Sequence, residues 1–117
     1  MRTDETDALY LISVAARIVG MHAQTLRKYE RAGFLVPSRT DGRLRLYSRE
    51  DLRRLRQIKR LVEDRGMNLA GVEMALEATD DLRRLARDVD STEDPATLRS
   101  LVRGRIARLL RTLDADE

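Results

Sequence analysis

Residues 20–47 read GMHAQTLRKYERAGFLVPSRTDGRLRLY and decide the fold, because turn, helix, turn and hairpin signals follow one another without a spacer. Gly20 ends a short apolar helical pattern, and glycine readily adopts the left-handed conformation found at helix C-termini. Only two residues separate it from the next helical pattern, so the stretch predicts a helix-turn-helix. Asp41-Gly42 is a strong hairpin-turn signal and predicts a β-wing over residues 39–47.

The first helix of this motif is predicted over residues 14–19. We expect Ser13 to be its N-cap, because a serine side chain can accept a hydrogen bond from the first turn. The apolar spacing predicts that Val14, Ala15 and Ile18 face the core.

The second helix is predicted from about Ala23 to Ala32, with Leu26 and either Glu30 or Tyr29 near its buried side. Gly33 is expected to end it, and Phe34 to pack back on the helix end. This is the helix that the motif would present to a ligand.

Two further caps lie downstream of the wing. Ser48 and Asp51 have the spacing of a capping box and predict a long helix to about Arg65. Asn68 is expected to cap a fourth helix that ends near Ala78, and a separate amphipathic stretch follows. The domain therefore continues as helices after the wing.

The last apolar pattern follows an acidic interruption, DSTEDP at 90–95, where Pro95 suits only the first turn of a new helix. The helix predicted from Pro95 to Leu113 carries apolar side chains at spacings of three and four. These are Leu98, Leu101, Val102, Ile106, Leu109, Leu110 and Leu113. The body of the same protomer could cover this face, but we favour the same helix of a second protomer, which makes it a dimerisation surface.

The composition narrows the class of protein. Charged residues make up 37% of the 117 residues and aromatic residues 3%, which favours a mainly α-helical domain over a β-sandwich. Residues 8–60 carry 13 Lys and Arg against 4 Asp and Glu, a net +9, whereas residues 79–117 carry 8 against 9, a net −1. The basic charge is concentrated on the helix-turn-helix and wing, which indicates double-stranded DNA as the partner.

Other classes of function find little support. The chain has no cysteine and a single histidine, so we expect no metal site, no cofactor and no enzyme activity. No apolar run approaches the ~20 residues of a membrane span, and the N-terminus, MRTDETDALY, lacks a signal-peptide pattern. We therefore expect a cytoplasmic, nucleoid-associated protein that does not bind membranes.

The candidate DNA-contacting residues are polar and basic side chains of the second helix and the wing. They are His22, Gln24, Thr25, Arg27, Lys28, Tyr29, Arg31, Arg39, Arg43, Arg45 and Tyr47. The N-terminal residues of a helix in the major groove meet base edges, where glutamine pairs with adenine and arginine with guanine. Gln24 and Arg27 are therefore the candidates for sequence readout, and the hydroxyls of Thr25 and Tyr29 suit phosphate contacts.

Some of these residues have a competing structural interpretation. His22 can be the N-cap of the second helix, and Tyr29 can be a core residue. Alternation along the wing places Leu44 and Leu46 in the core, on the face opposite Tyr47 and the wing arginines.

The order helix, turn, helix, arginine-rich wing, long helix, short helix and C-terminal helix resembles the MerR family of winged-helix transcription regulators. The resemblance rests on TLRKYE at 25–30, GFLVP at 33–37 and RLYSREDL at 45–52, and it covers about residues 9–78. It implies a mainly α winged helix-turn-helix with a small β-hairpin wing and a C-terminal dimerisation helix, interrupted here near Pro95. It also implies that the wing arginine, Arg45, meets the DNA backbone or minor groove.

Further segments, LISVAA at 11–16, GMHAQTLR at 20–27 and NLAGV at 68–72, are similar to the heat-shock repressor branch of that family. This similarity implies a homodimer that binds an inverted repeat upstream of chaperone operons and represses them, with the chaperone DnaK as corepressor. The expected parts of the chain are a disordered tail (1–8), the DNA-binding domain (9–78), an extension for dimerisation or corepressor binding (79–113) and a tail (114–117). So short a tail predicts no appended ligand-binding domain.

Two alternative functions remain open on the sequence. The chain could regulate other genes as a MerR-type activator or repressor, since the residues do not determine the sign. It could instead be a helical protein-interaction module whose C-terminal apolar face binds a partner. Sequence-independent nucleic-acid binding is a third interpretation.

Overall fold

The computed structural model describes residues 7–39 and 44–115, except for the side chain of Arg39. Its elements are β1 (Ala8–Leu11), α1 (Ile12–Val19), α2 (Ala23–Arg31), β2 (Ser38–Arg39), β3 (Arg45–Ser48), α3 (Arg49–Lys59), α4 (Leu69–Asp90) and α5 (Pro95–Thr112). The chain divides into two compact units, residues 1–67 and 68–117. The predicted fold class is confirmed: this is a mainly α winged helix-turn-helix with a break before Pro95.

The first unit contains a three-stranded antiparallel sheet in the order β1–β3–β2. The wing ladder pairs β2 with β3 and places Arg39 opposite Arg45. The sequence did not predict β1, which pairs with the other edge of β3 and makes β3 the central strand. The predicted Asp41-Gly42 turn and most of the predicted N-terminal tail lie outside the described residues.

Helix α1 corrects two predictions. It begins at Ile12 with Leu11 at the N-cap position and no side-chain cap, so Ser13 is not the cap. It buries Ala15 together with Ala16 and Val19, whereas Val14 and Ile18 are exposed by 38% and 43%. Small side chains on the packed face let α1 approach α2 and α3 closely, and the larger residues are left on the flank.

The predicted caps are otherwise confirmed. Gly20 has φ of 70°, and its N–H reaches back to carbonyls of the last turn of α1. Ser48 and Asp51 form both hydrogen bonds of a capping box, at 3.0 and 2.9 Å. Beyond α3 the chain continues as a π-helical turn over Arg60–Asp64, close to the predicted end at Arg65.

The second unit is a hairpin of two helices. Asn68 caps α4 by accepting a hydrogen bond from the Gly71 N–H at 2.9 Å, and Asp94 caps α5. The predicted helix end near Ala78 is wrong, because no glycine or proline interrupts residues 72–90 and α4 runs on to Asp90. The functional division expected between residues 78 and 79 stays a prediction. Among the helices described, none combines the length and apolar character needed to cross a membrane.

Candidate nucleic-acid interface

Helix α2 has one buried and one polar face. Leu26 is fully buried and Tyr29 is 5% exposed, so these two residues fix the rotation of the helix on the core. The predicted contact residues lie around the rest of its surface. Gln24, Lys28 and Arg31 are exposed, as is His22 before the first turn, and Thr25 and Arg27 are partly exposed. The helix therefore presents amide, hydroxyl and basic groups together.

His22 occupies the N-cap position of α2, but its side chain makes no capping hydrogen bond. Its backbone carbonyl accepts instead from the N–H groups of Thr25 and Leu26, at 2.9 and 3.2 Å. The competing structural role thus belongs to the backbone, and the exposed imidazole remains available to a ligand. Within the described part of the chain, no group of His, Asp and Glu side chains is arranged to hold a metal ion.

A lysine that sequence analysis missed fixes the turn between α1 and α2. The Lys59 ammonium donates to the carbonyls of Val19 and Gly20, at 3.3 and 3.2 Å. A Cβ atom at Gly20 would lie 2.9 Å from Lys59 Nζ. A cation at a helix C-terminus also interacts favourably with the helix dipole. Lys59 lies about forty residues further along the chain, so no local pattern could have identified it.

The C-terminal end of α2 is held by an aromatic pair. The rings of Tyr29 and Phe34 stack with centroids 5.9 Å apart, and the Phe34 N–H donates to the Tyr29 carbonyl at 3.0 Å. Arg54, also missed from sequence, donates from Nε to the Phe34 carbonyl. Burial raises the pKa of the Tyr29 phenol, and the nearby Glu63 carboxylate raises it further. The core interpretation of Tyr29 holds for its ring, and a contact between its hydroxyl and phosphate stays a prediction.

An ion pair ties the wing to the second helix. Arg45 Nε lies 2.7 Å from Glu30 Oε2, with side-chain exposures of 31% and 15%. The sequence predicts Arg45 as a wing contact and Glu30 or Tyr29 near the buried side of α2, but it does not predict that Arg45 and Glu30 pair. Arg39 is placed opposite Arg45 in the ladder, and Arg43 lies outside the described residues. One predicted wing arginine is thus held at a defined position beside α2.

The structure places Tyr47 in the core and not on the DNA-facing surface where the sequence predicted it. Its side chain is fully buried, so the prediction that it contacts DNA is wrong. As the central strand, β3 packs on α1 and α3, and Tyr47 lies on that covered face. The predicted alternation fails with it, since Leu44 is 56% exposed and Leu46 only partly buried. Burial, followed by the Glu30 carboxylate, raises the pKa of Tyr47 to about 12, and its hydroxyl has no hydrogen-bond partner among the described residues.

The predicted dimerisation face is only partly covered. Helix α5 packs along α4, which leaves Leu98, Leu101, Val102 and Leu109 partly exposed. Ile106, Leu110 and Leu113 remain 48%, 42% and 49% exposed, and no residue of α5 is fully buried. Cover by the same protomer, the alternative to a second copy, therefore applies to part of this face, because α4 packs against it.

Ion pairs join the two helices of this hairpin. Asp81, only 3% exposed, pairs with Arg84 on its own helix and lies 3.8 Å from Arg108 Nε on α5. Asp88 pairs with Arg105 nearer the turn. Only the pairing of α4 with α5 brings these carboxylates together with arginines of α5.

Helix α2, called the recognition helix from here on, presents a polar face beside the anchored wing, and together they define a winged helix-turn-helix DNA-binding protein. The sequence pattern of the MerR HTH family regulatory proteins matches residues 10–79, more than half of the chain. The chain belongs to the MerR family and is a DNA-binding transcription regulator.

Several proteins of known name are similar to this chain in sequence. HspR of Streptomyces coelicolor, a heat shock protein, is 46% identical over 81 residues, which cover 69% of this chain and 54% of that protein. The regulator MlrA of Escherichia coli is 41% identical over 70 residues, or 59% of this chain and 28% of MlrA. The regulator GlnR of Bacillus anthracis is 35% identical over 77 residues, or 65% of this chain and 59% of GlnR. The chain therefore spans less than two thirds of the length of each.

A solved structure has the same fold together with DNA. It is HiNmlR, a MerR family regulator lacking the sensor domain, bound to promoter DNA. The TM-score is 0.56 at 27% sequence identity, and the match covers 90% of this chain and 78% of HiNmlR. MlrA, GlnR and HiNmlR are regulators, and this chain is a regulator rather than an enzyme.

Proposed function

We propose that the protein is a homodimeric repressor of chaperone genes that binds an inverted-repeat operator. The observation that carries this proposal is the 46% identity with the heat shock protein HspR over 69% of the chain. Identity with MlrA and GlnR is lower, at 41% and 35%, over shorter segments. The segments that are similar to the heat-shock branch include the start of α2, which is the part of the fold that would read bases.

In this proposal α2 enters the major groove with its N-terminal turns at the base edges. Gln24 is exposed there and can pair bidentately with adenine, and Arg27 can pair with guanine. The Thr25 hydroxyl and the Lys28 ammonium suit phosphates, which position the helix without specifying sequence. The exposed imidazole of His22 stands at the helix start and can reach either a base edge or a phosphate.

The wing supplies backbone contacts beside the helix. Arg45 keeps 31% of its side chain exposed while Glu30 holds its Nε. Arg39 and Arg43 belong to the same proposed contact set, and Arg31 extends it at the end of α2. If each protomer neutralises ~4 phosphates, a dimer should show a salt slope of about −7.

The proposal of a dimer rests on the apolar side chains that the α4–α5 hairpin leaves exposed. A hairpin that leaves Ile106, Leu110 and Leu113 exposed buries too little of its own surface to be a complete core. A second copy related by a twofold axis would cover these side chains together with their partly buried neighbours on α5. Twofold symmetry of the protein then requires twofold symmetry of the operator, hence the inverted repeat.

Repression needs no chemistry in this scheme. A dimer on the promoter excludes RNA polymerase, and DnaK would act as a corepressor that stabilises the bound form. Chaperone transcripts should rise when the gene is deleted and return to basal level on complementation. A fall in those transcripts would instead identify an activator, which is the second candidate function within the family.

Deleting residues 95–117 separates the proposed dimer from a pure partner-docking role for α5. Loss of dimerisation should abolish tight operator binding, because two linked half-sites are lost together. Intact operator binding with a lost response to DnaK would contradict a dimerisation role and favour the protein-interaction alternative.

A further inference from the structure

An arginine-edged groove lies outside the proposed DNA-contacting set. It is lined by Tyr10, Ile18, Arg49, Leu52, Arg53 and Arg56, with a volume of about 270 Å³. These residues come from β1, α1 and α3, and none comes from α2, β2 or β3. The groove is therefore a different surface from the recognition helix and the wing.

The floor of the groove is apolar and belongs to a larger exposed apolar surface. Ile18 is 43% exposed, and Val14, one turn earlier on the same helix, is 38% exposed. Leu11, three residues before Val14, is 41% exposed. Apolar side chains that adjoin one another on a surface mark an interaction site more often than isolated ones do.

One edge of the groove is a row of positive charge. Arg49, Arg53 and Arg56 are spaced four and three residues apart on α3, which puts them on one face of the helix. All three are exposed. Guanidinium groups form charge-assisted, frequently bidentate hydrogen bonds with carboxylates, so the row complements an acidic chain.

The dimensions favour a protein segment over a small molecule. A volume of about 270 Å³ lies below the ~300–1,000 Å³ usual for ligand pockets, but it accommodates a large apolar side chain used as an anchor. We propose that this groove docks an acidic segment of a partner protein, with an apolar side chain on the Tyr10, Ile18 and Leu52 floor and flanking carboxylates on the arginines. A regulator bound to its operator would thereby keep a free surface for a second protein.

The test uses the ¹⁵N-labelled full chain and a synthetic acidic peptide of roughly 12 residues that carries leucines at helical spacing. Saturable amide shifts should appear at Tyr10, Ile18 and Leu52. A peptide in which serine replaces the leucines should bind at least tenfold more weakly. Equal binding of the serine peptide, or shifts spread over arginines of both units, would overturn the proposal.

A matched pair of variants separates the groove from general basicity. Arg49→Glu with Arg53→Glu should weaken peptide binding at least tenfold, because the double substitution reverses the charge at two of the three arginine positions on the edge of the groove. Arg99→Glu with Arg103→Glu makes the same charge change at the same spacing on exposed positions of α5 and should have little effect. Glutamates in the first turns of α3 suit the helix dipole, so the first variant should fold, which circular dichroism checks.

Duplex binding by the two variants completes the test. Both should bind operator DNA equally, since neither alters the proposed contact set. A selective loss of duplex binding in the Arg49, Arg53 variant would assign the arginine row to DNA phosphates and overturn the docking proposal. That result would leave the proposed operator binding itself intact.

Discussion

The ion pair between Glu30 and Arg45 yields a prediction whose sign is unexpected. Replacing Glu30 with glutamine removes a negative charge close to the proposed DNA-binding surface, so simple electrostatics predicts tighter binding. The structure predicts the reverse, because Glu30 Oε2 holds Arg45 Nε at 2.7 Å and so fixes the position of the wing arginine. Without that anchor, Arg45 must lose conformational entropy when it meets a phosphate.

The magnitude follows from the burial of the pair. A hydrogen bond to a charged group contributes about 1.5–3 kcal/mol, and the partial exposure of Arg45 places this pair near the lower end. We therefore expect Glu30→Gln to lower the stability of the fold by about 1–2 kcal/mol. Operator affinity should fall about tenfold, and the salt slope of the dimer should become shallower by about 2, since one phosphate contact per protomer is lost.

Fluorescence anisotropy against the operator duplex at several salt concentrations measures both quantities. Glu73→Gln is the matched control, because it makes the same charge change at an exposed position on α4. A double-mutant cycle with Arg45→Met should give a coupling energy of about 1–2 kcal/mol. Tighter binding by Glu30→Gln with an unchanged salt slope would refute the reasoning.

Four other predictions follow from the structure. Tyr47→Phe should raise stability by about 1 kcal/mol, because it removes a buried hydroxyl without a partner among the described residues. It should also reduce the loss of stability between pH 10 and 12. Below pH 10 the Tyr47 phenol is neutral in both states and does not affect folding. Between pH 10 and 12 it ionises in the unfolded chain but not in the folded protein, where its pKa is raised to about 12, so its ionisation favours unfolding. Lys59→Met should lower stability by about 1–2 kcal/mol and weaken operator binding, because two carbonyls at the end of α1 lose their charged donor. Gly20→Ala should lower stability by a similar amount, because the positive φ at this position is unfavourable for alanine. Ile106→Asp with Leu110→Asp should give a monomer in sedimentation velocity, since both side chains lie on the proposed dimer face.

Three of these variants have a defined contrary outcome: Tyr47→Phe, Lys59→Met and the α5 double variant. A loss of more than about 1 kcal/mol in urea unfolding of Tyr47→Phe would mean that its hydroxyl has a partner. Lys59→Met with unchanged unfolding and binding would show that the lysine does not hold the turn. Ser100→Asp with Ala107→Asp adds the same charge at exposed positions of α5, and if it also gave a monomer the apolar contact would not be the cause.

The parts of the fold that the sequence predicted are those set by local chemistry. Gly20 before the second helix, and the box of Ser48 and Asp51, act within a few residues of themselves, so their spacing alone was sufficient. The polar face of α2 could also be predicted, because Leu26 and the residues around it follow the helical period.

The parts that failed depend on contacts distant in the chain. Tyr47 is buried because β3 packs on α1 and α3, and the wing sequence alone carries no sign of that packing. Lys59 reaches a turn about forty residues earlier, and Asp81 meets Arg108 only when α5 folds along α4. The Glu30–Arg45 pair has the same origin, since only the placement of the wing beside α2 brings the two charges together.

Fluorescence anisotropy with two labelled duplexes tests the central claim most directly. One duplex carries the inverted repeat upstream of the host's chaperone operon, and the other is its scramble. At near-physiological salt the purified protein should prefer the repeat by ~10³ or more. Equal, steeply salt-sensitive binding to both duplexes would contradict a sequence-specific chaperone repressor and leave only a basic winged helix bound to the DNA backbone.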